Sequence, residues 1–535
     1  MTRIRVATMM AAVALGAAGA HAEVPRRGAA AAPPAAVPEP AEGKLRGDHA
    51  HARKPVEMSP EAQPAEFARE LFGPDPSYAD KPYDVEAQLA IYGGKYAVIG
   101  PRPPIEWGYP MYQPGPLGET IDLLGEKNPA RLQLLAFGDL RLGVAYNDNG
   151  ALDTAQMAAR LNLNLDFRIT STERVHLFLR PFDRVEKGRN TRYEFGGNQR
   201  DRFGDAEGLF DLTPEAFFFE GDVGQIVNGL SDEYHGFDLP IAFGLMPLLF
   251  QNGIWMEDAI LGGAITKPAM NSPLLDISNM DVTFFSGFDR VTTGALRERN
   301  NQFDDHAAQI FGTAVFIEAR EFYIEAGYGY TDDKRADGLG DFSYHNATLA
   351  VTKRWFGKIS NSMRVIGNFG QDPGPRLAKT ADGWLVLIEN SLITHLPSTL
   401  VPYANFFVGY NKPQSLARDF GAGGILKNTG INFETDGLTG FPKLDDTAND
   451  AYGGALGVSY LFNLDQQVVF EVAGLKPFGR DEKPGRIAKG DQLALGARYQ
   501  RPLSKQWIFR TDAIYGLREH DDDLAGVRAE LRLKF

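Results

Sequence analysis

The sequence predicts an all-β fold: a transmembrane antiparallel β-barrel of about 18 strands, preceded by an irregular N-terminal periplasmic segment rich in Pro, Gly and aromatic residues. Three observations support it. From about residue 130 the chain divides into segments of about ten residues in which apolar and polar side chains alternate. The connections alternate between short and long, and the last segment ends on an aromatic residue, Phe535. Because successive side chains of a strand point to opposite faces, each segment offers one face to lipid and one to a lumen.

The first 22 residues predict a signal peptide. Arg3 and Arg5 precede an apolar run over residues 6–18, and Ala20-His21-Ala22 forms an A-x-A cleavage site, so we place the cut after Ala22. An uncleaved membrane anchor is the alternative, but the run is too short for a stop-transfer helix. No later segment offers about 20 consecutive apolar residues, which excludes a helical membrane protein.

Two regions separate the signal peptide from the barrel. Residues 23–64 are rich in Ala, Pro and charge, and predict a disordered linker because they offer too little apolar surface to offset chain entropy. Residues 65–129 form the periplasmic N-terminal segment, with Pro and aromatic residues concentrated within 78–128. This segment either plugs the pore or docks a periplasmic partner, or it is a strap along the periplasmic rim. Pro-rich segments are often spacers, which favours the strap.

The barrel is predicted over residues 130–535. Its second segment shows the clearest alternation, with apolar residues from Leu161 to Ile169 and charged or amide residues from Arg160 to Arg168 at the positions between them. The sixth segment has the weakest pattern. The 18 predicted strands lie near residues 131–147, 158–170, 173–183, 214–229, 237–249, 257–267, 279–289, 307–319, 321–331, 341–354, 357–369, 383–395, 400–411, 451–463, 466–476, 489–501, 505–516 and 524–535.

The connections support the same count. Short ones include Ser171-Thr172-Glu173 and Phe356-Gly357, whereas long ones cover about 184–213, 290–306, 412–450 and 477–488. Outer-membrane barrels have short turns on the periplasmic side and long loops outside, so this alternation predicts a periplasmic N-terminus. The final run, in which every second residue is apolar up to Phe535, resembles the C-terminal signature of bacterial outer-membrane proteins. That resemblance implies that Phe535 is a membrane-assembly signal read by the barrel-assembly machinery.

The inward positions near the closing seam collect charged residues, which we predict to line the pore. The basic ones are Arg141, Arg160, Arg168, Arg174, Arg180, Arg498, Arg510, Arg528 and Arg532, and the acidic ones are Asp139, Asp166 and Asp512. A basic wall facing acids favours anionic solutes. The alternative is that these charges pair with one another and only keep the lumen polar.

The stretch from Met246 to Asp258 is unusually apolar for an outer loop. One interpretation is a loop folded into the pore as a constriction, formed by Phe250, Trp255, Glu257 and Asp258. The other is a longer pair of strands joined by a tight turn at Gln251-Asn252-Gly253, which the Asn-Gly pair favours slightly.

Composition and motifs exclude several other functions. There is no Cys, hence no disulfide, thiolate metal site or CxxCH haem attachment, and the net charge of −14 argues against a nucleic-acid binder. His306 near Asp304 and Asp305, and His520 before Asp521, are accidental neighbours of the kind that scattered His residues produce, and no hydrolase or nucleotide motif is present. We therefore predict no enzyme, no cofactor and no structural metal. Acidic runs such as Asp445-Asp446 leave calcium binding open.

The order of several motifs resembles a known family. Leu179-Arg180-Pro181, Glu215 to Glu220, Phe243-Gly244-Leu245 and Trp255-Met256-Glu257-Asp258 follow one another as in the alginate-export type of 18-stranded barrel, and residues 130–535 are similar to bacterial porins in general. Gly244-Leu245-Met246 stands where that family has Gly-Arg-Gln. The resemblance implies passive transport of an anionic polysaccharide through a basic pore. Our own prediction is an outer-membrane porin for small polar or anionic solutes, in contact with outer-membrane lipid and lipopolysaccharide, as a monomer or a trimer. The alternative is a plugged or partner-filled scaffold barrel, serving as a conduit for polysaccharide export or for an electron-transfer partner.

Overall fold

The computed structural model describes residues 103–108, 120–184, 189–198, 209–296, 306–335, 340–375, 377–396, 399–462, 466–479 and 486–535. The predicted signal peptide 1–22, the linker 23–64 and most of the segment 65–129 lie outside these residues.

The described residues are mostly β-strand. In chain order the elements are β1 (Ile105–Gly108), β2 (Gln133–Asp148), β3 (Asp153–Arg168), β4 (Arg174–Leu179), β5 (Asp183–Arg184), β6 (Arg189–Gly197), β7 (Pro214–Asp222), α1 (Val223–Ser231), β8 (Pro240–Phe250), β9 (Met256–Ser272), β10 (Ile277–Asp289), β11 (Ala308–Ala319), β12 (Phe322–Asp333), β13 (Tyr344–Trp355), β14 (Ile359–Phe369), β15 (Asp382–Leu392), β16 (Leu400–Lys412), β17 (Ala417–Arg418), β18 (Ala451–Phe462), β19 (Gln466–Pro477), β20 (Gln492–Pro502), β21 (Trp507–Arg518) and β22 (Leu524–Lys534), with short 3₁₀ turns at Pro273–Leu275 and Phe420–Ala422.

Eighteen of these strands form a closed antiparallel barrel: β2 to β4, β7 to β16 and β18 to β22. Each pairs with the next in this order. The last strand closes the ring on the first, with Arg141 opposite Arg532 and Ala145 opposite Arg528. Phe535 extends the seam, since its N–H donates to Gly138 O and its C=O accepts from Gly138 N. The predicted 18-stranded fold is confirmed.

The outer face of the ring is apolar. Leu456, Val472 and Leu495 lie side by side on β18, β19 and β20 and are 55%, 45% and 57% exposed. On β2 the same alternation exposes Leu142 and Val144 and buries Gly143. An exposed apolar band around a closed barrel is stable only in lipid, so the chain is a transmembrane barrel.

Two details of the strand prediction are wrong. The segment 214–229 is not one strand: β7 ends at Asp222, whose carboxylate accepts from Gln225 N at 3.0 Å and caps helix α1. The sixth strand, predicted near residues 257–267 from the weakest pattern, is longer than predicted, with 17 residues in β9. Its Gly262 weakened the pattern, yet a Cβ there would lie 1.9 Å from Ser286 O, so the close approach of β10 requires glycine.

The connections do not alternate strictly, which corrects the prediction. At one rim, here called the short-turn rim, the strands are joined by short turns at 169–173, 320–321 and 356–358. The same rim also has the longer connection 223–239, which contains α1. The opposite rim, the long-loop rim, carries 180–213 and 413–450, but also short turns at 149–152, 251–255 and 519–523. Within the described part of the chain, no helix is long and apolar enough to cross a membrane.

The described parts of the N-terminal segment lie at the short-turn rim. β1 pairs with the first residues of β2, with Ile105 opposite Ala136. Asn128 Nδ2 donates to Glu173 in the β3–β4 turn at 2.8 Å. Gly125 packs so tightly on α1 that a Cβ would lie 1.9 Å from Gly229 O. The rest of residues 78–128 lies outside the described residues, so whether the segment is a strap or a plug stays a prediction.

Candidate functional site

The strand register brings the predicted pore-lining residues to one face of the barrel. Arg141 lies opposite both Arg160 and Arg532, and Asp512 lies between Arg498 and Arg528. Arg168 lies opposite Arg174. Because the other face carries the exposed apolar band, this face is the lumen.

The connection 413–450, here called the lumen loop, folds into the barrel instead of extending outward. Asn147 and Gln156, on β2 and β3, both donate to Thr439 O, at 2.6 and 2.5 Å. Asn405 Nδ2 on β16 donates to Thr429 O at 2.7 Å. The loop therefore crosses the lumen between opposite parts of the wall.

Two carboxylates of the lumen loop neutralise the arginines of the late strands. Glu434 accepts from Arg498 at 2.5 Å and from Arg510 at 3.1 Å. Asp436 lies 2.5 Å from Arg528 and 3.9 Å from Arg141. On the wall these arginines also meet two acids: Asp512 pairs with Arg498, Arg510 and Arg528, and Glu530 pairs with Arg141. On this side of the lumen, the charged residues therefore pair with one another, which was the alternative to a basic wall that attracts anions.

The same arginines change the titration of the two loop carboxylates. Burial alone would raise the pKa of Asp436, but the charge of Arg528 and hydrogen bonds from Thr439 outweigh it and hold that pKa well below its ordinary value. Burial likewise opposes the lowering of the pKa of Glu434, which Arg498 and Arg510 cause. Both groups therefore stay ionised at mildly acidic pH.

A third anchor holds the lumen loop without a cation. Glu471 on β19 accepts from the backbone N–H groups of Ile431 and Asn432, each at 2.9 Å, and from the Asn432 amide. Tyr403 donates to the same carboxylate at 2.5 Å. Next to it, Phe433 packs edge-to-face on Phe407 of β16. Glu434, Asp436 and Glu471 were not predicted as site residues.

The stretch from Met246 to Ile260, here called the lumen hairpin, also enters the barrel. It is a tight hairpin, because Gln251, Asn252 and Gly253 all have positive φ. Its tip nevertheless reaches across to β14, where Arg364 Nε donates to Gln251 at 3.0 Å. The stretch is a pair of strands with a tight turn, folded into the lumen; whether it constricts the pore stays a prediction.

The predicted constriction residues anchor this hairpin. Trp255 is fully buried, donates to Asn346 at 2.8 Å, and packs against Phe250 and Phe285. A Cβ on Gly327 would lie 2.5 Å from the Trp255 ring, so glycine makes room for it. Asp258 accepts from Thr292 N at 2.6 Å.

The two inserted elements contact each other. Glu257 of the lumen hairpin pairs with Lys427 and Arg418 of the lumen loop. Arg418 also donates to Gly253 O at 2.5 Å, and β17 pairs with the start of β9. The lumen is therefore divided by one continuous internal structure.

Open space with a charged lining remains at both ends of the lumen. A cavity of about 790 Å³ opens toward the long-loop rim; its charged lining consists of Arg335, Lys412, Arg418, Lys443 and Arg486 against Asp419 and Asp446. A cavity of about 540 Å³ lies at the short-turn rim, with Arg131, Arg168 and Arg174 against Glu173 and Glu220. Cations outnumber carboxylates in both.

The structure provides no metal centre within the described ranges, where no group of three or more His, Asp or Glu residues is placed to hold an ion. Asp445 and Asp446, considered for calcium, are engaged otherwise: Asp445 accepts from Thr447 and Ala488, and Asp446 binds Lys443. His306 pairs with Asp289 at 2.7 Å on the surface; Asp304 and Asp305 lie outside the described residues.

Comparison with protein-family models and with curated proteins gives no match. Similar solved structures include OccAB4 of Acinetobacter baumannii, with a TM-score of 0.49 and 10% identity over 75% of this chain and 97% of that one. OccK2 (OpdF) of Pseudomonas aeruginosa has a TM-score of 0.48 and 11% identity over 75% and 98%. Wzi, a carbohydrate-binding outer-membrane barrel involved in capsule assembly in Escherichia coli, has a TM-score of 0.41 and 12% identity over 74% and 84%. The closed ring of 18 strands with its lipid-facing band makes this chain a β-barrel of the bacterial outer-membrane type.

Proposed function

We propose that the protein is an outer-membrane channel that lets small polar solutes, preferentially anions, pass through a lumen narrowed by the lumen loop and the lumen hairpin. One observation carries the proposal: both mouths contain open cavities whose charged linings have more cations than carboxylates. The larger one has five cations against two carboxylates.

The cations that favour anion entry are those that line the cavities, not the arginines of the late strands. Arg498, Arg510 and Arg528 are matched by acids at short distance, so their fields largely cancel. Arg168 and Arg174 also pair with acids, Asp166 and Glu220, but they remain about one-third exposed and so face the cavity. A mouth with excess positive charge raises the local concentration of anions and so favours their entry.

The second candidate is a closed scaffold barrel. It is favoured by the extent of the internal structure, because the lumen loop buries Leu426 and Phe433 and the lumen hairpin buries Trp255 completely or almost completely. An apolar packed interior conducts nothing. The two cavities argue for the channel, since they leave about 790 and 540 Å³ of open space at the two ends of the lumen.

Solute flux into proteoliposomes tests the proposal. Swelling rates are compared for small neutral, anionic and cationic sugars or amino acids of matched size, with protein-free liposomes as the baseline. We expect swelling with all three classes and the fastest rate for the anions. Proteoliposomes that swell no faster than the baseline would support the scaffold barrel and refute the channel.

A further inference from the structure

We propose that the solute path runs along the wall formed by β3, β4 and β7, and that Arg180 and Glu215, facing Asp419, set its ion selectivity. This inference rests on the proposed channel function and adds the location of its path. The late-strand arginines, which the sequence places in the same lumen, lie outside this path.

The lumen loop covers one part of the wall. It contacts β19 at Glu471, β20 at Gly496, where a Cβ would lie 2.5 Å from Asn432, and β22 at Gly526, which packs on Pro442. Arg528 beneath it is only 4% exposed. A solute cannot reach this surface while the loop is in place.

The lumen hairpin covers a second part. It contacts β10 at Phe285, β12 at Gly327, β13 at Asn346 and β14 at Arg364. Arg364 is buried and pairs with Glu389 at 2.9 Å. Between them, the two inserted elements occupy the lumen from β10 round to β22 and the upper parts of β2 and β3, where Asn147 and Gln156 donate to Thr439 O.

The remaining wall carries a row of polar and charged side chains that joins the two cavities. It starts in the short-turn cavity at Arg168 and Arg174 and continues through Asp166, His176 and Asn164, with His176 Nε2 3.2 Å from Asn164. These groups pair mainly with one another across β3 and β4. Arg168 and Arg174 remain 35% and 34% exposed.

The proposed path is narrowest in the middle of the lumen. Arg160 pairs with Asp183 at 2.7 Å, and Arg180 lies 3.4 Å from Glu215. On the loop side, a Cβ on Gly437 would lie 3.0 Å from Arg160, and the charge of Asp419 acts on Glu215. Asp419 itself lines the cavity at the long-loop rim, so the narrow point opens directly into that cavity.

The chain contains no Cys, which allows a direct test by single-cysteine accessibility. Asn164→Cys places a thiol on the proposed path. Ala494→Cys places one on β20, also facing the lumen but buried under the lumen loop and 1% exposed. We expect 2-sulfonatoethyl methanethiosulfonate, an anionic thiol reagent, to label Asn164→Cys and reduce its current, and to leave Ala494→Cys unlabelled. Labelling of Ala494→Cys but not of Asn164→Cys would overturn the path.

A charge test examines selectivity separately. Arg180→Gln should lower the anion-to-cation permeability ratio about tenfold and Glu215→Gln should raise it by a similar factor, because one unit charge about 6 Å from an ion in water changes anion and cation entry about threefold each, in opposite directions. Arg320→Gln is the matched control, because Arg320 is 73% exposed on the short-turn rim. Unchanged ratios in both path variants would refute the assignment. A wild-type protein without current would refute the channel instead, while mass-detected labelling would still identify the water-accessible wall.

Discussion

Replacing Asp436 by Asn should release the lumen loop. Asp436 and Arg528 are each 4% exposed and lie 2.5 Å apart, so the pair is almost fully withdrawn from water. Removing one partner of such a pair costs about 3–5 kcal/mol, because the other charge stays buried. Arg528 keeps Asp512 at 2.9 Å, so we take the lower limit, about 3 kcal/mol. That raises the population of the undocked loop about a hundredfold.

Limited proteolysis measures this population. The loop carries Lys427 and Lys443, whose side chains are 17% and 27% exposed when the loop is docked. Trypsin should cut Asp436→Asn after these residues much faster than the wild type, and mass spectrometry should find the two fragments. Glu321→Gln, on the short-turn rim where Glu321 is 84% exposed, serves as the control. Equal cleavage rates in wild type and Asp436→Asn would refute the idea that this buried pair holds the loop.

Three further predictions concern other parts of the barrel. Trp255→Ala should destabilise the lumen hairpin by about 3–5 kcal/mol, since it leaves a cavity and an unpaired Asn346, and the unfolding midpoint in urea should fall. Phe535→Ser should lower the heat-modifiable fraction recovered from outer membranes, because it removes the aromatic last residue predicted as the assembly signal while keeping the backbone hydrogen bonds to Gly138; an unchanged fraction would contradict that role in assembly. Loop docking, followed by trypsin resistance, should be constant from pH 7 to 5 and fail only in stronger acid. The sign follows from the lowered pKa values of Glu434 and Asp436, whose stabilisation is present above the ordinary carboxyl pKa and lost as pH falls through the folded values; loss of resistance by pH 5 would contradict it.

The strands could be predicted because the pattern of each strand depends only on residues that are close together in the sequence. The alternation from Arg160 to Ile169 needs only the two-residue period of a strand between lipid and water. Helix α1 was missed because Val223, Ile226 and Val227 also suit a strand. Asp222 followed three residues later by Gln225 is a helix-capping pattern, and it was the available signal.

The interior could not be predicted in the same way, because closure of the barrel joins residues far apart in the chain. Asn147 and Thr439 are 292 positions apart, yet they share a hydrogen bond. The charged face of the late strands was identified, including Asp512, but not the loop carboxylates Glu434 and Asp436 that neutralise it. The available signal for an inward-folded loop was the apolar content of the 413–450 connection, because Leu426 and Phe433 would be unfavourably exposed to water in an outer loop.

Single-channel recording of the refolded wild-type protein in a planar bilayer, with the reversal potential measured under a KCl gradient, tests the channel most directly. We predict discrete current steps and a reversal potential on the chloride side of zero, because both mouths carry excess positive charge. A folded barrel that conducts no current, or that selects potassium over chloride, would contradict this account.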